Sequence, residues 1–191
     1  MSTTVQPAST AVPAGPRTIW DIDPAHSQVG FTVKHMMISK VRGYFTGISG
    51  QLILDDDDLA HSSVEVEIDA ASVSTRDDHR DNHLRSAEFF DVEQYPAIVF
   101  KSTKVEAKDD DELRISGDLT IHGQTRPIVM DATYQGRGVV PGGGEVIGYE
   151  ASAKISRRDF KMEFNVPLDS GGVLVGDDVT ITIEIEASKQ V

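Results

Sequence analysis

From Thr18 onward, apolar and polar residues alternate one by one, the side-chain repeat of a β-strand. Val29, Phe31, Val33 and His35 share a face against Gly30, Thr32 and Lys34. Val64, Val66 and Ile68 alternate with Glu65, Glu67 and Asp69. Leu113, Ile115, Gly117, Leu119 and Ile121 make another such face, as do Ile128, Met130, Ala132 and Tyr134. The last run sets Val179, Ile181, Ile183 and Ile185 against Thr180, Thr182, Glu184 and Glu186. Strands with one apolar and one polar face are antiparallel and bury one side. His122-Gly123 and the stretch Pro141–Gly144 separate alternating runs at hairpin spacing. Gly43, Gly47 and Gly50 fall within or beside one long strand-like segment, where they predict bulges or sharp bends. About eight to ten strands with short connections leave a sandwich or a closed barrel, and long, bent antiparallel strands favour the barrel, so the expected fold is an all-β antiparallel β-barrel over residues 18–191. Residues 1–17, rich in Ser, Thr, Pro and Ala, read as a disordered arm.

One stretch breaks the alternation. Residues Ser74 to Tyr95 are polar and helix-compatible, with Ser74 and Ser86 as candidate N-caps, so two short helical turns are expected there. Pro96 opens the next strand. A connection of this length in a compact domain is usually functional or a lid. Its adjacent Phe89 and Phe90 are expected to face the barrel as a cap.

Composition narrows the function. The net charge of −13 opposes nucleic acid and anionic membrane as partners, since a cationic footprint supplies non-specific affinity for polyphosphate. The acidic runs Asp55–Asp58 and Asp109–Asp111 lie between strands and lack the spacing of a calcium loop, so both read as solvated turns. The absence of cysteine removes thiolate nucleophiles, thiolate metal sites and disulfides. No stretch approaches the roughly 20 apolar residues that span a bilayer. The first seventeen residues have neither the charged nor the apolar region of a secretory signal, so the expected location is cytoplasmic.

The search for chemistry ends without a catalytic centre. There is no Gly-x-Ser-x-Gly elbow and no phosphate-cradling glycine loop. His79 and His83 stand four apart, on one face of a helix, beside Asp78 and Asp81; two histidines and a carboxylate can ligate zinc. A zincin needs Glu after the first histidine, and Arg80 stands there instead. The competing reading has Arg80, Asp81 and His83 pinning the connection to the barrel through hydrogen bonds. His35, on an apolar face, reads as a buried histidine with a satisfied hydrogen bond, and His26 as a turn residue bonded to backbone.

Several segments together resemble the YceI-like family, and in that family's order. They are Trp20–Met36, Gly43–Gly50, Arg80–Phe100 and Ile115–Ile128, and the likeness runs from about Thr18 to Ser188. Its most specific element is the Arg-Asp-x-His-Leu-Arg-Ser block from Arg80, followed by Phe89-Phe90 and Tyr95-Pro96. Lys161 stands where glycine is usual after Arg158-Asp159-Phe160. The resemblance implies a lipocalin-like barrel whose apolar pore binds a polyisoprenoid or quinone-like lipid, with no other cofactor and no metal. It also implies carriage, storage or sequestration without catalysis. The partners expected are the lipid itself and a membrane touched transiently to load it, with a homodimer as an option.

On the residues alone, a barrel of about eight strands is either filled by side chains or holds one ligand. The inward set comprises Phe31, Val33, Phe45, Val66, Ile68, Phe100, Leu119, Met130 and Phe164, joined by His35, Phe89 and Phe90 as candidate ligand contacts. His79, Arg80 and His83 are the candidate polar groups at the mouth. The rival readings are a metal enzyme at His79/His83 and a barrel with a solid core.

Overall fold

The alternating runs pair into one antiparallel sheet in the computed structural model of the chain, which describes residues 17–169 and 171–190. The strands are β1 (Arg17–Ile22), β2 (Gln28–His35), β3 (Ser39–Phe45), β4 (Ile48–Asp55), β5 (Ser63–Asp69), β6 (Val73–Ser74), β7 (Ala97–Ala107), β8 (Glu112–Ile121), β9 (Gln124–Val140), β10 (Gly144–Ser156) and β11 (Val175–Lys189). One helix, α1 (Asp78–Arg85), precedes β7. Eight strands, in the order β1-β4-β5-β7-β8-β9-β10-β11, close on themselves because β11 also pairs with β1. The first part of that same edge of β11, from Val175 to Glu184, pairs with β2, and β3 and β6 extend the flap outward. The barrel therefore falls within the expected strand count, and the flap supplies the excess.

Register sets inward side chains opposite one another: Val66 meets Phe100, Phe100 meets Leu119, Ile115 meets Met130, and Phe31 meets Ile181. The His122-Gly123 turn is the expected two-residue hairpin, with φ of 49° and 66°, the doubly left-handed geometry that matches strand twist. Between β9 and β10 the register slips at Gly148/Tyr149, a bulge that leaves Gln135 without a partner.

Four local expectations are corrected. Arg17, assigned to the arm, begins β1 opposite Asp55; the rest of the arm lies outside the described residues. Only one of the two helical turns forms, capped by Asp77 accepting from the Arg80 N–H at 3.0 Å; Ser74 lies in β6 and Ser86 ends the helix. Asp77 wins because its carboxylate sits three residues before the amide it caps. Asp55 is not solvated: it is fully buried, and its Oδ1 accepts from the amides of Asp57 and Asp58 while Arg17 and His61 face Oδ2. It fixes the turn after β4 from inside. The Gly43–Gly50 segment is two strands, β3 and β4, broken at Thr46-Gly47, where Gly47 bonds Ser72 and Asp69.

A second knot holds the approach to β11. Arg157 is buried, and its guanidinium donates to the carbonyls of Gly176, Met162 and Phe164 and to the Asp177 carboxylate. These bonds tie the end of β10 to the start of β11 across the intervening segment. At its centre Lys161 has φ 59° and ψ 22°, the left-handed conformation in which glycine is at ease.

Two outcomes follow for stability. Arg157→Met leaves two buried carbonyls and a partly buried third without their donor, and each buried one costs about 1–3 kcal/mol. We expect a loss of about 3 kcal/mol or more on urea titration, and an unchanged midpoint would refute the knot. Lys161→Gly removes a left-handed non-glycine residue costing about 1–2 kcal/mol and adds unfolded-state entropy of about 0.5–1 kcal/mol. The net gain, up to about 1.5 kcal/mol, is readable by the same titration.

Candidate functional site

The inner faces of the barrel do not meet. They surround a cavity of about 330 Å³ with almost wholly apolar walls. Its lining runs from Leu52, Leu54, Leu113 and Tyr149, near the C-terminal end of β11, to Phe89, Phe164 and Leu174 near its start. Phe31, Val33, Val66, Ile115 and Ile181 point inward yet are only half-buried, because they face this space instead of another side chain. A close-packed interior would leave them no accessible surface.

Part of that space is made by glycine. A Cβ on Gly43 would lie 2.4 Å from Cζ of Phe31, and one on Gly117 the same distance from Cζ of Phe100. Each ring therefore lies over a neighbouring strand instead of across the cavity.

One end is covered by α1 and the turns after it. Phe90 meets Phe45 edge-on with centroids 5.6 Å apart, and Phe45 continues to Phe31 at 5.9 Å. Phe89 packs on Phe164 at 5.4 Å, with the His83 ring set edge-on against both. The cap is held by charge-assisted bonds to a short stretch of backbone. Asp81, buried, accepts from the Thr75 amide and hydroxyl; Arg80 donates to Thr75 Oγ1 and its carbonyl; Arg85 donates to the carbonyls of Ala71 and Val73. His83 bonds Glu88, and Arg80 and Asp81 bond Thr75, all within the connection itself. Among the described residues, therefore, none of the three expected to pin it reaches a strand by a side-chain hydrogen bond, as Arg85 does at Val73. Arg85 was not anticipated.

All twelve residues expected inside line the cavity: Phe31, Val33, His35, Phe45, Val66, Ile68, Phe89, Phe90, Phe100, Leu119, Met130 and Phe164. Arg80 and His83 reach it as well, at the capped end. His79 does not; it is exposed, one turn N-terminal to His83. His35 is half-buried against the cavity and not sealed in a core. Sequence reading missed Leu52 and Leu54, because Ile53 between them is apolar too and no alternation marks the inward face. It also missed Tyr149, whose face depends on the bulge. Burial, then the neighbouring Tyr134 at 5.5 Å, pushes the Tyr149 hydroxyl up to about 12, so it stays a neutral donor at the wall.

Among the described residues, the three metal-capable side chains that converge are Asp23, His26 and Glu186, on the surface, and not His79 or His83. His26 is the expected turn residue, its amide donating to the Asp23 carbonyl at 3.3 Å, and its ring adds a bond to a carboxylate, with Nδ1 2.8 Å from Asp23 Oδ2. That bond raises the His26 pKa and lowers that of Asp23. Asp23 also accepts from the Ala25 amide, which accounts for the cluster as a turn. No helix among the described residues is long and apolar enough to cross a membrane.

Comparison with known proteins agrees with this architecture. A family model for the YceI-like domain matches residues 20–187. Protein YceI of Escherichia coli O6:H1 is 38% identical over 164 residues, which cover 86% of this chain and 83% of the relative. The crystal structure of the Campylobacter jejuni YCEI protein superposes with a TM-score of 0.71 at 34% identity, covering 83% of this chain and 90% of that one. A polyisoprenoid binding domain from Saccharophagus degradans, implicated in plant cell wall breakdown, superposes with a TM-score of 0.65 over 88% of this chain and 97% of its own; at 16% identity it speaks for the fold. The match over nearly the whole barrel, with a relative of 38% identity, makes this chain a member of the YceI-like family.

Proposed function

We propose that this protein holds a long apolar lipid, of the polyisoprenoid or quinone-like class, in the barrel interior and carries or stores it without chemical change. The observation that carries the reading is the cavity: about 330 Å³, running most of the length of β11, with apolar walls. Volumes of about 300–1,000 Å³ are usual for sites that bury most of a small ligand. The Saccharophagus degradans domain of the same fold, which binds polyisoprenoid, supports the class.

A prenyl tail offers no polar handle, so its affinity is apolar area removed from water. At about 25 cal/mol per Å², several hundred Å² exceed the entropy cost of immobilising it. Tail recognition is then loose, and selectivity falls to the few polar groups on the wall. Arg80 and His83 stand at the capped end and Tyr149 toward the other. Arg80 and His83 are already engaged with Thr75 and Glu88, which suits orienting a head group better than turning it over. Loading from a bilayer requires transient contact with one.

The organic extract of purified protein should contain about one equivalent of prenyl lipid by mass spectrometry. Val66→Trp places a bulky ring at the cavity wall. We expect it to fold with little loss when lipid-free and to bind markedly less prenyl lipid. Thr182→Trp, on the outer face opposite Gly30, changes neither. In a packed interior Val66→Trp would instead cost about 1–3 kcal/mol by overpacking, which would remove the main support for a carrier. The metal reading is tested separately. His79→Ala/His83→Ala should keep lipid affinity within a factor of a few, whereas one equivalent of zinc, lost in that variant, would overturn the reading.

A further inference from the structure

The β2–β3 hairpin turns at Met36-Met37-Ile38, and all three side chains are exposed, Ile38 at 86% more than any other large apolar residue described. Met36 and Met37 have φ of 50° and 61°, in the left-handed region that residues with a Cβ rarely adopt. A turn under no other demand would place glycine or asparagine there. The tip instead accepts backbone strain and presents three apolar side chains to solvent.

Beneath the tip lies a cationic face. Lys34 stands directly opposite Lys40, and Arg42 stands opposite Thr32 on the same outer side; all three cations are exposed. Like charges directly opposed across two strands repel. Among the described residues none of the three has a carboxylate within ion-pair distance, whereas nearby Lys154 and Arg158 are paired with Asp178 and Asp177. In a chain of net charge −13, three unpaired cations on one hairpin form a local exception. The inner face of the same hairpin belongs to the cavity: Val33, His35 and Val41 line it. The tip is also tied to it, since the Met36 amide donates to the carbonyl of Leu174, another lining residue, at 2.8 Å.

We infer that the β2–β3 hairpin is a membrane-docking element for an anionic phospholipid bilayer. Met36, Met37 and Ile38 enter the acyl boundary, while Lys34, Lys40 and Arg42 meet the head groups and set this end of the cavity at the surface. Apolar side chains combined with flanking cations are the pair of forces that hold interfacial segments. Overall negative charge does not prevent this. Head groups sense charge within a Debye length of about 8 Å at physiological salt, so the hairpin's own cations dominate at contact. The inference extends the lipid-carrier reading by naming the surface through which lipid is exchanged, and its test separates the two.

The full chain is floated with phosphatidylcholine vesicles prepared with and without phosphatidylglycerol, and geranylgeraniol binding is measured in parallel without vesicles. We expect flotation only with the anionic vesicles, weakening as salt is raised. Lys40→Glu/Arg42→Glu should lower it by fivefold or more, about fivefold being the usual contribution of one cation near such a surface. Ile38→Asp should lower it similarly. Val139→Asp alters an apolar residue 75% exposed at the opposite end of the barrel and should change nothing. Ile38→Trp should shift its emission to the blue on vesicle addition, against a background from Trp20 that is buried throughout. All variants should keep geranylgeraniol binding. Wild-type protein that binds geranylgeraniol but does not float, or Val139→Asp losing as much as Ile38→Asp, overturns the docking element alone and leaves the cations as guards of the β3 edge. Wild-type protein that floats but binds no prenyl alcohol refutes the carrier reading and leaves docking standing.

Discussion

A hollow barrel of this size depends on its ring of strands closing without a gap, and here closure depends on β11. Eleven of its fifteen residues, Asp178 to Ser188, pair with β10 along one edge. The other edge is divided: Val175 to Glu184 against β2, and Ala187 to Lys189 against β1. Three register pairs therefore complete the ring. Trp20, fully buried, sits at that seam, with the Arg137 guanidinium 5.0 Å and the Lys189 ammonium 5.8 Å from its ring. The cation–π contacts and the Trp20 indole donating to Thr18 add strength where the hydrogen-bond ladder is shortest.

The interior is kept open by the same economy of contacts that would otherwise fill it. Phenylalanines at Phe31 and Phe100 have enough volume to cross the barrel, but Gly43 and Gly117 let their rings lie along the wall. The end of the cavity is stopped by a chain of aromatic edges, from Phe31 through Phe45 to Phe90, and separately from Phe89 to Phe164. Polar bonds do the holding and apolar rings do the covering. Arg80, Asp81 and Arg85 fasten the cap to Ala71, Val73 and Thr75, while Arg157 fastens the segment that carries Phe164. Hydrogen bonds to charged groups in this setting are worth more than neutral ones, because little water competes for them. A carrier needs this division: walls that gain from any apolar tail, and a frame that does not collapse when the tail leaves.

Alternation along the chain determined a great deal without tertiary information. Period two, hairpin glycines and the lack of helical period sufficed for an antiparallel sandwich or barrel, since side chains on a strand can only take one of two faces, and the bends expected at Gly43, Gly47 and Gly50 favoured the barrel. Once faces are assigned, the inward list follows, and Val66, Ile68, Leu119 and Met130 line the cavity as their parity required. The resemblance carried by the block from Arg80 to Pro96 supplied the ligand class, which parity could not.

Tertiary structure decided what parity leaves open. Whether inward residues touch each other or surround a space depends on barrel radius and on ring direction, and those arise from closure and from glycines on neighbouring strands. Leu52 and Leu54 lie in an apolar triplet without contrast between faces, and Tyr149 follows a bulge that resets the count, so both entered the site only through pairing. Asp55 shows the same limit for charge: an acidic run in sequence became one buried carboxylate that organises a turn and several exposed ones. The net charge of −13 is a sum and carries no position, whereas the placement of Lys34 opposite Lys40 under an apolar tip is a matter of register. Sequence determines which face of a strand a residue takes; only the folded sheet determines what that face meets, because the partner comes from a distant part of the chain.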